Sequence, residues 1–252
     1  MDIDKKKCEE YLETKFDDVV WSPSRLSCYD NCPYEFYLKY LLGQRGTNWY
    51  AYIGTGVHNI IEDYYNVGHA KGLDTDIIVE TMVKKFALVV SAWDEWRPHS
   101  WKAQCNKIVD GLMSFKPLDT VTDIERTILF DFEGYKFQAK LDAEEGDDWH
   151  IDYKSRWDKK KYGHQQTLYM YAKEIEQAAP PKGFKIIQYK ERMSTVEIDY
   201  SKGDVELTKN WMRYTIDKIR RDLERGEFTK NPADKFYCTE LCQAPLCEHS
   251  KR

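Results

Sequence analysis

Two carboxylates and an ammonium group fall within fourteen residues in Leu141-Asp142…Ile151-Asp152-Tyr153-Lys154. Along a strand, side chains two apart share a face. Asp152 and Lys154 therefore point together, and Tyr153 points the other way. A hairpin turn centred near Gly146 makes Asp142 a diagonal neighbour of Asp152 on the same face. Such a cluster is a site for a hard cation, since Mg²⁺ binds through one or two carboxylates, water and substrate phosphate. The chemistry it suits is metal-assisted phosphodiester hydrolysis, in which the ion acidifies a bound water and neutralises charge in the transition state. Lys154 would position or deprotonate that water, or hold the phosphate. A D-x-K tripeptide by itself is more often a solvated strand face, so the weight rests on its company.

That company lies on helices. His58 follows Gly54-Thr55-Gly56-Val57, and Glu62 stands four residues on, on the same helix face. The spacing suits metal ligation or hydrogen bonding. Gln165 and Tyr169 repeat the four-residue step, after a basic stretch of Lys154, Arg156, Lys159, Lys160 and Lys161 suited to gripping phosphates. Trp93, Trp96 and Trp101 gather near a helix junction. They read as packing between helices, with base stacking on single-stranded DNA as the alternative. Of seven cysteines, Cys238, Cys242 and Cys247 crowd into ten residues, which signals a metal or metal cluster. Cys8 and Cys105 read as ordinary thiols.

The elements that must position these residues change character midway. Up to Pro117 the pattern is helical: from Ser22 as N-cap, with Pro23 in the first turn, to Gly43; onward from Gly54-Thr55-Gly56; over about 75–96; and over about 101–115. Strands then read at 124–132 and 135–141, joined at Glu133-Gly134, and at 149–154 after the polar turn 144–148. A further strand pair falls at 185–190 and 195–200, with helices over 163–177 and 205–225. The last segment, with Asn231-Pro232 and the cysteines, reads as an irregular cap. The 252 residues carry 38 Lys+Arg against 43 Asp+Glu, a net charge of −5. That balance excludes a protein that coats nucleic acid by bulk charge, but not an enzyme whose bound metal supplies local positive charge. The longest apolar run falls far short of the ~18 residues of a membrane span. The polar start, Met1 to Lys7, has no apolar secretory segment, so we expect a cytoplasmic protein without disulfides.

In order along the chain, Gly-x-Gly-x-His58, Asp142, Asp152-x-Lys154 and Gln165-x-x-x-Tyr169 resemble the RecB-type branch of the PD-(D/E)XK nuclease superfamily. Ser22-Pro-Ser-Arg-Leu-Ser-Cys-Tyr-Asp-Asn-Cys-Pro-Tyr-Glu-Phe-Tyr resembles that branch's N-terminal signature. The resemblance runs from about Trp21 to Cys247. It implies an α/β fold with a restriction-endonuclease-like core: a small central mixed sheet, a helical N-terminal half and a Cys-rich C-terminal cap. It implies a single nuclease domain over 1–252. Within it, 1–118 is the helical half with Cys32 and His58, 119–200 the catalytic sheet core with the Gln165 helix, and 201–252 the long helix and metal-cluster cap. By the same resemblance, His58, Asp142, Asp152 and the main-chain carbonyl of Tyr153 hold Mg²⁺ or Mn²⁺. Lys154 is then catalytic, and Gln165 and Tyr169 orient the substrate or the lysine.

Relatives of the iron–sulfur type include the nuclease domain of the AddAB helicase–nuclease and the CRISPR-associated RecB-like nucleases. They hold a [4Fe–4S] cluster on one N-terminal and three C-terminal cysteines, and the resemblance assigns Cys32, Cys238, Cys242 and Cys247 to that role. The spacing here, C-x3-C-x4-C, departs from their usual C-x2-C-x5-C. Cys28 in place of Cys32, and Zn²⁺ in place of the cluster, therefore stay open. The implied activity is a metal-dependent DNA exonuclease at DNA ends, serving recombination, repair, phage DNA metabolism or CRISPR adaptation in a prokaryotic or phage-infected cell. DNA is the implied partner, beside a helicase, recombinase or CRISPR-type protein; no membrane is involved, and a homo-oligomer stays open. The alternatives are a structure-specific endonuclease and a non-catalytic DNA-end-binding or assembly subunit with the same fold.

Overall fold

The computed structural model of the chain describes residues 3–44, 49–69, 77, 80–81, 83–87, 99–114, 118, 120–146, 148–155, 159–232, 235–242 and 244–250. Helix α1 spans Lys5–Thr14. Ser22 accepts a hydrogen bond from the Arg25 amide (3.3 Å), and Pro23 opens α2, Pro23–Asn31. The single helix expected as far as Gly43 breaks at Cys32. A proline disfavours helical backbone at the residue before it, and Cys32 is extended (φ −160°, ψ 105°) ahead of the short α3, Pro33–Phe36. That turn widens into a π-helix over Tyr37–Leu41. Helix α4, Trp49–Asp63, runs straight through Gly54 and Gly56 instead of starting after them, and neither glycine has positive φ. Helix α5 is His99–Met113. Most of the helix expected over 75–96 lies outside the described residues, although 83–87 is helical.

Seven strands follow: β1 Val121–Ile124, β2 Thr127–Phe132, β3 Tyr135–Lys140, β4 Ala143–Glu145, β5 Trp149–Lys154, β6 Gly183–Gln188 and β7 Ser194–Asp199. Helix α6, Lys159–Gln177, links β5 to its parallel neighbour β6. Helix α7, Lys202–Arg225, is capped by Ser201 and ended by Gly226 in the left-handed conformation (φ 63°). Five strands form one mixed sheet in the order β1-β4-β5-β6-β7, and β2 and β3 pair apart from it. The α/β architecture with a small mixed sheet is as expected; two details differ. The strand expected over 124–132 is cut at Glu125 (φ 53°), which leaves β1 in the sheet and sends β2 into the separate hairpin. Glu144 and Glu145, expected in a turn, belong to β4, and the turn begins at Gly146 (φ 61°).

Strand β5 serves two layers. Ile151 and Tyr153 enter a core with Val57 and Ile61 of α4 and Leu112 of α5. His150 and Asp152 point to the other face, which α6 covers. There Glu144 is buried and accepts hydrogen bonds from Lys173 of α6 (2.9 Å) and from Arg126 (2.9 Å). Removing either cation would leave a charge buried and uncompensated, so this network clamps α6 to the sheet. His150 is 1% exposed, and neither ring nitrogen has a hydrogen-bond partner among the described residues. Burial holds its pKa down to about 4. The unfolded chain takes up this proton near its ordinary value of about 6.5. Between about pH 6.5 and 4 the unfolded state therefore binds more protons, and stability falls with pH by about 1.4 kcal/mol per unit from this group. Urea unfolding of wild type and His150→Leu, compared across that range, should show the extra slope in the wild type and its loss in the variant.

Candidate active site

The pairing Ala143↔Ile151, Glu144↔His150 and Glu145↔Trp149, continued one step, sets Asp142 directly opposite Asp152, not diagonal to it. Asp142 stands in the bend between β3 and β4. Its Oδ2 accepts a hydrogen bond from the Tyr153 amide (2.8 Å), and its Oδ1 faces His58 Nδ1 at 3.3 Å. His58 Nε2 donates to the Tyr153 carbonyl (2.9 Å). Three of the expected metal-holding groups thus touch one another, brought together by a bend, a strand and a helix from the opposite layer. Asp152 is 2% exposed; Lys154 Nζ holds one of its oxygens (3.0 Å) and Gln166 Nε2 the other (3.3 Å). The expected Gln165 donates instead to the Tyr169 hydroxyl (2.8 Å), so it is the adjacent Gln166 that reaches the carboxylate. Tyr169 is buried close enough to Asp152 and Lys154 for their charges to act on its hydroxyl.

Burial pushes both members of the Asp142–Asp152 pair towards the neutral acid. At Asp142 the charges of His58 and Lys154 outweigh burial and hold the pKa down. At Asp152 the opposite happens: burial, reinforced by the Asp142 charge, overcomes the pull of Lys154 and raises the pKa. The β4–β5 register sets the two carboxyls opposite each other, close enough for the charge of each to act on the other. Burial disfavours the charged forms of His58 and Lys154, yet Asp142 raises the first, and Asp152 with Asp142 raises the second well above its ordinary value. Protons therefore supply positive charge where oxygen donors converge. A hard divalent cation would supply it instead. The donors fit one: His58, Glu125 and Asp142 each offer an atom within 4.8 Å of the others, and His58 also reaches the Tyr153 carbonyl, whereas the expected ligand Asp152 is not in that converging group.

Glu125 is not among the residues expected from the sequence. It sits at the backbone break before β2, its amide donates to the Asp142 carbonyl (3.0 Å), and its carboxylate pairs with Lys140. A positive φ away from glycine costs on the order of 1 kcal/mol or more, and this one aims a carboxylate at the site. No spacing rule connects it to Asp142, and nothing in the sequence marks the break there. Glu62, on the same helix as His58, lies near Lys140 and is not in the converging group. Arg156, Trp93 and Trp96 lie outside the described residues, as do the side chains of Lys159, Lys160, Lys161 and Trp101.

A second cluster is built of sulfur. Cys32, Cys238, Cys242 and Cys247 line one cavity together with Glu35 and Lys230. Burial pushes up the Cys28 and Cys242 thiols, Cys242 to about 12, so their thiolates form only with a cation to hold them. Among the described residues no three of these sulfurs lie within 4.8 Å of one another. That spread exceeds the about 3.8 Å sulfur–sulfur edge implied by tetrahedral Zn–S bonds. Cys8 and Cys105 are fully buried, as expected of ordinary thiols.

The family model described as the PD-(D/E)XK nuclease superfamily matches residues 20–250. Among solved structures, the chain is similar to one described as a "putative exonuclease" from Eubacterium rectale, with a TM-score of 0.55 and 13% identity. That match covers 97% of this chain and 92% of the other. At this identity the likeness shows the fold. No curated protein matches the chain. The site itself predicts how it answers pH. His58 must shed a proton before it can ligate, so below its raised pKa metal affinity falls about tenfold per pH unit. Calorimetry in buffers of different ionisation enthalpy should report at least one proton released per ion bound, and fewer in His58→Asn. Glu125→Gln should weaken binding roughly tenfold.

Proposed function

This chain belongs to the PD-(D/E)XK nuclease superfamily, and on that premise we propose that it is a Mg²⁺- or Mn²⁺-dependent DNA exonuclease acting at DNA ends. One observation carries the reading: the strand register sets Asp142 opposite Asp152, with Lys154 on Asp152 and with His58 and the Tyr153 amide on Asp142. Asp142, Asp152, the Tyr153 carbonyl and His58 hold the ion, with Glu125 beside them. Bound there, the ion supplies an acidified water and a counter-charge for the phosphate. Lys154, kept an ammonium by Asp152 and Asp142, donates hydrogen bonds to the attacking water or to a phosphate oxygen and meets the charge that develops in the transition state. Gln166 fixes the orientation of Asp152. Gln165 and Tyr169, bonded to each other, orient the lysine or the substrate strand. The likeness to a structure described as an exonuclease supports action at ends rather than within a strand.

We assign Cys32, Cys238, Cys242 and Cys247 to a [4Fe–4S] cluster, which the spread of the sulfurs favours over Zn²⁺. Its role is a staple. Cys32 and Cys238 are 206 positions apart (238 − 32), and the entropy of closing so long a loop grows only slowly with length, so one link ties the cap to the helical half at modest cost. The chain then works as one nuclease domain in the cytoplasm of a prokaryotic or phage-infected cell, in recombination, repair, phage DNA metabolism or CRISPR adaptation. It carries no G-x-x-x-x-G-K-[ST] loop, so unwinding falls to a helicase, recombinase or CRISPR-type partner.

The test is cleavage of end-labelled linear and closed circular DNA with Mg²⁺, Mn²⁺ or EDTA. Wild type should degrade linear DNA only with metal and leave circles intact, and Lys154→Ala should lose at least about 100-fold in rate. Cut circles would move the assignment to a structure-specific endonuclease. DNA that is bound but intact, with folded and metal-loaded protein, would move it to a DNA-end-binding subunit.

A further inference from the structure

The cysteine cavity contains a half-buried carboxylate that neither the hydrolytic chemistry nor the four sulfur ligands call on. Glu35 lines the cavity with Cys32, Cys238, Cys242 and Cys247, three residues after Cys32 in the short α3 turn. Its Oε2 accepts a hydrogen bond from the Tyr237 hydroxyl at 2.5 Å, across 202 positions of sequence. The Cys28 and Cys242 thiols lie close enough to Glu35 to act on its carboxyl. These groups come from two distant parts of the chain: Cys28 from α2, and Tyr237 and Cys242 from the π-helical turn Tyr237–Cys242 in the cap. An O–H···O⁻ contact of this length is charge-assisted and among the stronger hydrogen bonds. The cation that bears on Glu35 is Lys39, while the cavity's Lys230 is engaged with Glu248 (2.7 Å). The cap cannot leave without stripping this half-buried carboxylate of its Tyr237 donor, which is costly.

The same contacts sort the thiols. Five cysteines are available to a site that needs four. Cys28 stands one helical turn before Cys32, near Glu35 but absent from the cavity lining; Cys32, turned out of the helix by Pro33, is part of it. We propose that Glu35 is the positioning carboxylate of the cysteine site: it locks the cap onto α2 and α3 before any metal arrives, and it keeps Cys28 out of the ligand set so that Cys32 serves. The inference rests on the reading of the cysteines as a metal-cluster site, and it adds that the site is pre-assembled by a carboxylate, not drawn together by the metal.

The experiment uses the full chain, purified anaerobically, with iron, zinc and acid-labile sulfide measured and the visible absorption recorded, before and after chelation. In the metal-free wild type, limited proteolysis should leave the segment around 235–250 protected. In metal-free Glu35→Ala and Glu35→Gln, cleavage there should be at least about tenfold faster, with Tyr237→Phe between, in line with the loss of one or more buried hydrogen bonds. Cys28→Ser, which keeps a hydroxyl near Glu35, should retain full metal and sulfide and an unchanged absorption spectrum; Cys32→Ser should lose them. Equal cleavage of metal-free wild type and Glu35→Ala would overturn the lock, and loss of the cluster in Cys28→Ser would overturn the sorting. A reconstituted wild type with neither metal nor sulfide would overturn the cluster reading and the sorting with it, while the proteolysis still decides the lock.

Discussion

Strand register sets the half-buried Asp142 opposite the buried Asp152, and the surrounding structure supplies the positive charge that makes this tolerable. The placement follows from strand pairing: the β4–β5 register puts the bend before β4 opposite the third-last residue of β5. Two carboxylates this close cannot both ionise without positive charge beside them. Lys154 reaches in from the same strand face, His58 from the helix on the other side of the sheet, and a proton on the pair makes up the rest. Each supporting element has a definite task. Glu144, bound by Lys173 and Arg126, anchors α6 so that Gln166 arrives at Asp152. The apolar face of α4 packs on Ile151 and Tyr153, which carries His58 to the Tyr153 carbonyl. The site is poised for a cation because everything but the cation is in place.

The parts of this site that can be read from sequence are those fixed by local periodicity. Asp152 and Lys154 share a face because strands alternate, and Gln165 meets Tyr169 because helices repeat after about four residues. What depends on where an element ends is harder to read. With Glu144 and Glu145 taken as a turn, Asp142 falls diagonal to Asp152; with both in β4, it falls directly opposite. Gln166 and not Gln165 touches Asp152 because one residue rotates a helix by about 100°, and nothing in the sequence states the rotation of α6 against the sheet. Glu125 enters through a left-handed backbone residue inside a stretch that reads as one strand, and nothing in the sequence marks the break. The glycines before His58 look like a boundary and are not one, since a glycine inside a helix weakens it without ending it. Pro33 differs again: local sterics dictate the break at Cys32, yet the apolar spacing across it reads as one helix to Gly43.

The two clusters use the chain in complementary ways. The carboxylate site draws on neighbouring strands and the helices on either side of them, with a scaffold of buried hydrogen bonds that holds its geometry. The cysteine site instead joins segments some two hundred residues apart, and its carboxylate, Glu35, performs for sulfur what Lys154 and His58 perform for Asp142: it supplies the partner that keeps buried polar groups in place.

The central claim is that the Asp142–Asp152 pair is a cation site whose missing charge is supplied by protons. A crystal structure of the full chain with Mn²⁺, located by its anomalous scattering, tests it most directly. The account predicts one ion bound to both carboxylates and to the Tyr153 carbonyl, with His58 turned from that carbonyl towards the metal. Mn²⁺ bound elsewhere at saturation, with no ion at Asp142 and Asp152, would contradict it.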